Sequence, residues 1–437
     1  MSAARAAYTL LVFIAMPFAA VYLLWRSRRQ PEYRRHWGER FGWAHRPEVA
    51  GAPVIWIHAV SVGETQAARP LISALATQFP AHRFLLTHMT PTGRTAGSEI
   101  VARWPGRVQQ AYLPYDMPFA VRRFLRGHAP VIGLGMETET WPNLLAAARA
   151  AGLPMVLVNA RLSERSLARA QWTPRLMAET AQCFTLVLAQ TEADAARMRQ
   201  VGAQRIEVIG NLKFDTAADA ALVERGRAFR RAAAARAVLL FASTREGEEE
   251  LLLDALRRHD IRNVGMTLIF VPRHPQRFDE VARLLEARFG TVARRSSYGA
   301  GDAALPPDAP VILGDSMGEM ALYYAASDVA YVGGSLLPLG GQNLIEACAV
   351  AVPVVVGPHT FNFTQATADA IAAGAAVRVA DADAVVAAMQ GIVTDTARRE
   401  RMADAGLRFA RHHSGATARA VARIAPLIET SSRRSGG

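Results

Sequence analysis

The chain has 437 residues, 51% of them hydrophobic, so it is long enough for two domains with large buried cores. Lys and Arg exceed Asp and Glu by 50 − 38 = 12, a balance that suits an anionic partner such as an acidic lipid or an anionic substrate. There is no zinc-finger spacing, RNP pattern or basic region with heptads to support a nucleic-acid partner, and two cysteines cannot build a disulfide framework. Cys183 and Cys348 both lie in apolar segments and read as buried thiols in a reducing compartment.

Ala6 to Trp25 (AAYTLLVFIAMPFAAVYLLW) is 20 residues without a charge, long enough to span a bilayer's apolar core. A cleaved signal peptide has a shorter apolar region and a small-residue cleavage site, and neither is found here. Arg26, Arg28, Arg29, Arg34 and Arg35 follow the run, against Arg5 before it, which orients the rest of the chain to the cytoplasm. Residues 1–30 are therefore expected to be a transmembrane anchor with its basic flank, the alternative being a tightly docked soluble helix.

From Val54 short β-rich runs alternate with helical ones. Residues 54–60 (VIWIHAV), 83–88, 131–136, 155–160, 184–190 and 205–210 read as strands of a parallel α/β sheet, giving a first domain over 31–215. Residues 216–236 are rich in Ala and Arg and read as a connecting helix. The alternation resumes at 237–243 (AVLLFAS) and runs through 266–272, 310–313, 328–334 and 353–357, giving a second domain over 237–428. The fold class expected is α/β: two Rossmann-like domains facing a cleft, with ligands at the C-terminal strand ends. The tail 429–437 reads as disordered.

Candidate chemistry sits after the strands. Glu64 follows the first strand and opens a helix. It reads either as a helix-dipole partner, which lowers a carboxylate's pKa, or as a catalytic base. Thr87 to Arg94 holds threonines suited to capping the next helix. Glu137 and Glu139 stand two apart beside Trp141, which is unusual for a surface loop, and Pro142 fits a helix's first turn. Lys213, in Gly210-Asn211-Leu212-Lys213-Phe214-Asp215, is either solvated or set to meet an anion. In the second half, the acids after Ser243-Thr244-Arg245 are explained by capping. Pro272-Arg273-His274-Pro275 is a proline-braced basic pair suited to a carboxylate or phosphate. Met317, Gly318 and Glu319 join a strand to a helix. Asp381-Ala382-Asp383 reads as a helix N-cap rather than a metal-binding pair, so no metal ligands are assigned.

The stretch Gly333 to Phe363 (GGSLLPLGGQNLIEACAVAVPVVVGPHTFNF) runs strand, glycine loop, helix, strand. Such a unit offers backbone N–H groups to a phosphate. Asn343 with Glu346 three residues on also makes a capping-box spacing, so a helix is expected from Leu344 to about Val350 on either reading.

In this order, SVGE, TPTG, ETETWPN, GNLKFD, VPRHP, DSMGE and the Gly333–Phe363 stretch resemble the Kdo (3-deoxy-D-manno-octulosonic acid) transferases of lipopolysaccharide assembly. The resemblance covers nearly the whole chain, including Glu39-Arg40-Phe41-Gly42. It implies a GT-B glycosyltransferase, anchored to the inner membrane and facing the cytosol. The reaction implied moves Kdo from CMP-Kdo to a tetraacylated lipid A precursor, with inversion and with neither metal nor cofactor. Carried over by position, Glu64 is the general base, and Glu137 and Lys213 assist the transition state. Pro272, Arg273, Met317, Gly318, Glu319, Asn343, Leu344, Ile345 and Glu346 bind CMP. Two departures bear on fine specificity: Arg245 where His is more frequent, and His88 where Thr is usual. The rival readings are another GT-B nucleotide-sugar transferase and a non-catalytic membrane-anchored binding protein.

Overall fold

Alternation of apolar strands with amphipathic helices produces two parallel sheets, each with helices on its faces. The computed structural model describes residues 2–28, 30–43, 51–215, 219–233, 236–260, 265–299 and 305–435. Unit 1 comprises Met1–Asp215 and Ser414–Gly437; unit 2 comprises Thr216–His413.

Unit 1 runs α1 (Ala3–Arg26), α2 (Trp37–Arg40), β1 (Val54–His58), α3 (Val62–Gln78), β2 (Arg83–His88), α4 (Pro91–Arg103), β3 (Val108–Tyr112) and α5 (Pro118–His128). It continues through β4 (Pro130–Met136), α6 (Pro142–Ala150), β5 (Met155–Ala160), α7 (Glu164–Ala170), α8 (Pro174–Ala181), β6 (Leu186–Ala189), α9 (Glu192–Val201) and β7 (Ile206–Val208). The strand order is β3-β2-β1-β4-β5-β6-β7, so the order reverses between β1 and β4. Core side chains fill both faces: Ile55 and Ile57 on one with α3, Trp56 on the other with α5.

Unit 2 runs α10 (Ala220–Ala232), β8 (Val238–Thr244), α11 (Glu248–Arg258), β9 (Thr267–Pro272), α12 (Phe278–Phe289), β10 (Ala293–Arg294), β11 (Val311–Leu313) and α13 (Met320–Ala325). Then come β12 (Val329–Val332), α14 (Ile345–Ala349), β13 (Val354–Val356), α15 (Thr364–Ala372), β14 (Ala376–Arg378), α16 (Ala382–Thr394) and α17 (Thr396–His413). The order β10-β11-β9-β8-β12-β13-β14 reverses between β8 and β12. Sequence reading misses β3, β10 and β14, and all three are edge strands. An edge strand packs less completely, so β3 carries half-buried Gln109 and Gln110 in place of an apolar run.

Three boundary expectations are corrected. The expected linker 216–236 contains α10, which packs on α13 through buried Val223, Gly226 and Phe229. Gly226 is required there, because a Cβ would stand 2.3 Å from the Leu322 carbonyl oxygen. The second domain does not extend to 428, and Glu429 to Ser435 are not disordered: α18 (Ala416–Ser435) crosses back to unit 1. Ala416, Ala420, Ile424 and Ile428 recur every four residues and bury against the α3 face of the first sheet. Asp215 fixes the crossing, its carboxylate accepting from Gly415 N at 2.6 Å and from Thr417 N. Cys348 is buried as expected, whereas Cys183 is only partly so; both are free thiols.

α1 is long and apolar enough to cross a membrane. Its first half is nonetheless bonded to unit 1. Ser2 Oγ donates to Glu179 at 2.5 Å, Tyr8 OH donates to Asp116 at 3.0 Å, and Thr9 Oγ1 lies 3.0 Å from Asn143 Oδ1. Asp116 also accepts from Asn143 N and Leu144 N, at 3.0 and 2.8 Å, and so caps α6.

The docking of α18 is testable. Ile424 is fully buried, and truncating such a residue costs roughly 2–5 kcal/mol. Ile424→Ala should lower the denaturation midpoint of unit 1 and leave that of unit 2 in place. An unchanged unit 1 transition would contradict this packing.

Candidate active site

The first site forms where the strand order reverses in unit 1, the position at which open α/β sheets leave a crevice. β1 ends at His58, paired with Gly135 of β4. Trp56 and His58 lie on one face of β1 and both reach Thr87 of β2: Trp56 Nε1 donates to Thr87 Oγ1 at 2.8 Å, and His58 Nδ1 is 2.9 Å from it. Nδ1 also lies 3.2 Å from the Thr87 carbonyl oxygen, and Nε2 lies 3.2 Å from Glu139 Oε2, so the ring is held between Thr87 and Glu139. Trp141 Nε1 donates to the same carboxylate at 2.6 Å. The sequence reading marked Glu139 and Trp141 as odd but missed their partner, His58.

Glu137 follows β4 with φ 58, the left-handed region. The turn keeps its N–H on the Val158 carbonyl oxygen, 2.9 Å, as its side chain leaves the sheet. Lys213, on the 3-10 turn Leu212–Asp215, meets that carboxylate at 2.6 Å. Asn159 Oδ1 holds the turn by accepting from Leu212 N at 3.0 Å. The structure thus brings Glu137 and Lys213 together as an ion pair.

Glu64 occupies the first turn of α3. Ser61 caps the helix by accepting from Glu64 N at 3.3 Å, and Glu64 Oε2 accepts from Val60 N at 2.5 Å. The sequence argument that the helix end lowers its pKa is overturned. Burial pushes the carboxyl up to about 7; the Val60 N–H opposes this, Glu139 and Glu137 add to it, and His58 opposes it weakly. His88 is buried beneath the β1–α3 loop, with Nδ1 2.9 Å from the Ala59 carbonyl oxygen. Burial lowers its pKa to about 4, so it is a neutral core residue. Thr90 caps α4, accepting from Gly93 N at 3.1 Å, as expected.

The second site lies along the C-terminal strand edge of unit 2. Pro272 ends β9, and Arg273 follows it, exposed, with its N–H on the Thr244 carbonyl oxygen at 2.9 Å. The Asn343–Glu346 segment opens α14. Its capping differs from expectation: Leu344 takes the N-cap position, while Asn343 Oδ1 accepts from Ile345 N at 3.1 Å and Asn343 Nδ2 donates to Glu346 at 3.0 Å. Burial raises the Glu346 pKa; the Asn343 bond and the Arg273 charge counter it, which places Arg273 within electrostatic reach of Glu346. Met317 and Gly318 are exposed after β11. Glu319 turns instead to Arg295, 2.8 Å away.

The acids of α11 do more than cap. Fully buried Glu248 accepts from Gly334 N at 2.7 Å, Leu336 N at 3.0 Å, Tyr331 OH at 2.7 Å and Arg245 N at 2.9 Å. It therefore sets the glycine loop between β12 and α14. Gly333 is needed for this close approach, since a Cβ would meet the Ser243 carbonyl oxygen at 2.5 Å. Glu249, also buried, pairs with Arg277 at 2.7 Å. Burial, then the charges of Arg245 and Arg273, lowers the His274 pKa, so the two guanidinium groups form a cationic edge beside a neutral imidazole. Asp381 caps α16 by accepting from Ala384 N at 2.8 Å, and Asp383 pairs with Arg258.

Comparison with known proteins bears on both sites. A family model described as 3-deoxy-D-manno-octulosonic-acid transferase (kdotransferase) matches residues 35–216. The 3-deoxy-D-manno-octulosonic acid transferase of Bordetella pertussis is 47% identical over 426 residues, 95% of this chain and 98% of that one. The Haemophilus influenzae protein of the same name is 34% identical over 427 residues, 97% of this chain and 98% of that one. In fold, the chain is similar to a putative UDP-N-acetylglucosamine 2-epimerase from Listeria monocytogenes, with TM-score 0.58, 13% identity, and coverage of 87% of this chain and 98% of that one. The two parallel α/β sheets are of the GT-B type, and on the strength of nearly full-length identity the chain belongs to the 3-deoxy-D-manno-octulosonic acid transferases, glycosyltransferases of lipopolysaccharide biosynthesis.

Proposed function

We propose that this enzyme moves Kdo from CMP-Kdo to the primary hydroxyl of the distal glucosamine in the tetraacylated lipid A precursor, with inversion at the anomeric carbon. The observation that carries the reading is Glu64, a carboxylate at a strand-order reversal with its pKa at about 7. A primary alcohol is a poor nucleophile until its proton is removed, and a base with a pKa near the working pH removes it most effectively. Glu64 takes the alcohol proton as the new C–O bond forms. The bond from the anomeric carbon to the phosphate oxygen breaks, and CMP leaves with the electron pair. Charge on the sugar ring rises in this step, and the Glu137–Lys213 pair supplies a fixed carboxylate and ammonium beside it. The chain's own residues perform this chemistry, with no resident cofactor or metal.

In this reading Pro272, Arg273, Met317, Gly318, Glu319 and the Asn343–Glu346 segment hold CMP. Arg273 meets the donor's negative charge, Leu344 and Ile345 shape the pocket floor, and Glu346 accepts from ribose hydroxyls. Arg245 adds a second guanidinium at the same edge. The α1 helix attaches the enzyme to the inner membrane with both units on the cytosolic side, where the acceptor is confined.

Two measurements test these roles. General-base catalysis contributes about 10²–10⁴-fold, so Glu64→Gln should lose turnover by that factor with CMP binding kept. Because ionising Glu64 is disfavoured in the folded state, the variant should melt no earlier than the parent above pH 7. Near-full turnover, or loss explained by early melting, would remove Glu64 from this role. Arg273→Ala deletes a charge-assisted contact worth roughly 1.5–3 kcal/mol, so CMP affinity by calorimetry should fall about tenfold to a hundredfold. Unchanged affinity would place CMP elsewhere.

A further inference from the structure

The start of α1 is bonded to unit 1, and its end leads directly back into that unit. At its start are the Ser2, Tyr8 and Thr9 contacts to Glu179, Asp116 and Asn143. At its end, Arg34 Nε donates to Ser27 Oγ at 2.9 Å and the Arg26 guanidinium lies 5.0 Å over the Tyr33 ring. The chain then enters α2, where buried Glu39 pairs with Arg94 of α4 at 2.6 Å. A helix of 24 residues is about 36 Å long, and a spanning helix of that length puts its ends on opposite sides of the hydrocarbon layer. A unit that the chain enters soon after the helix end, at the Glu39–Arg94 pair, cannot also bond to the helix start in that arrangement.

The surface pattern agrees. Arg5, Tyr8, Thr9, Val12 and Met16 form a covered stripe at helical spacing, while Leu11, Ile14, Phe18, Val21 and Trp25 form an exposed apolar one. Phe13 meets Phe119 of α5, ring centroids 6.3 Å apart. From Phe119 the exposed face of α5 continues through Arg122 and Arg126, again at helical spacing. Arg123 lies 4.7 Å over the exposed Trp43 ring. These arginines border an open cavity of ≈ 480 Å³. The side-chain N–H groups of Arg123 and Arg126 donate to backbone carbonyls, and no described carboxylate pairs with them.

We propose that α1 lies along the membrane interface rather than through it, and that α1 and the Phe119–Arg122–Arg126 face of α5 together form one docking surface for an anionic phospholipid bilayer. Apolar side chains enter the acyl boundary, the aromatics sit at headgroup depth, and the arginines take lipid phosphates. The proposal rests on the membrane attachment read above and adds to it an orientation and a headgroup contact.

The test has two arms, both on the full chain. In the first, Ser2→Cys is made in a Cys183→Ser background and probed with a membrane-impermeant maleimide in spheroplasts. The protein should sediment with membranes, stay unlabelled in intact spheroplasts and label after lysis. Labelling of intact spheroplasts would mean a spanning helix and overturn the proposal while leaving attachment intact. In the second, Arg122→Gln/Arg126→Gln is compared with the parent on phosphatidylcholine vesicles with and without phosphatidylglycerol. Each arginine is worth about fivefold near an anionic surface, so the double variant should lose on the order of tenfold or more on anionic vesicles and nothing on neutral ones. An equal loss on both, or no loss, would overturn the headgroup contact; a parent that binds neither vesicle would remove the attachment reading itself.

Discussion

Three carboxylates share the C-terminal ends of neighbouring strands β1 and β4 in unit 1, and the described residues supply close cationic or N–H partners unevenly. Glu137 has Lys213 at 2.6 Å. Glu139 has the His58 ring and the Trp141 indole N–H. Glu64 has a single backbone N–H, from Val60. Burial, opposed by the Val60 N–H and reinforced by Glu139 and Glu137, lifts the Glu64 pKa to about 7. The rest of unit 1 serves this inequality. The β1–β4 reversal brings the acids to one edge, Thr87 holds the His58 ring, and Asn159 fixes the turn that carries Lys213.

The same unit binds its peripheral elements back to that edge. Asp116 caps α6, the helix that begins one residue after Trp141, and also takes the hydroxyl of Tyr8 from α1. Asp215, two residues from Lys213, takes the N-terminal N–H groups of α18. α1 and the returning C-terminal helix are thus each one short step from the loops that carry Glu139, Trp141 and Lys213. In unit 2 a buried carboxylate plays the organising part: Glu248 holds the glycine loop from below and leaves the outer edge to Arg245, His274 and Arg273.

Much of this was legible in the sequence. The central strands are near-continuous apolar runs, so their positions and the two-unit plan followed from alternation. Three of the four edge strands, β3, β10 and β14, did not, because half-buried positions tolerate Gln and Arg. The return of α18 was missed because a terminal Ser- and Arg-rich segment reads as solvated, and only its contact with α3 explains the four-residue apolar repeat before it. Glu64, Glu137 and Lys213 were singled out separately by position at strand ends, and the pairing of Glu137 with Lys213 was not legible. Nor was the sign of the Glu64 shift, because the helix end was visible in sequence while the neighbouring acids, 73 and 75 residues on, were not. The acids of α11 were misjudged for the same reason: burial and backbone partners 86 and 88 residues away have no local signature.

The central claim is that an acid titrating near neutrality takes the acceptor's proton. The most direct measurement is the pH dependence of kcat/KM for Kdo transfer by the full-length enzyme, compared with Glu64→Gln. Only ionised Glu64 accepts a proton, so the parent's kcat/KM should rise with pH through an acid limb with its midpoint at about 7. The residual activity of the variant should lack that limb. A parent profile flat between pH 5 and 8, or an acid limb that survives the substitution, would contradict it.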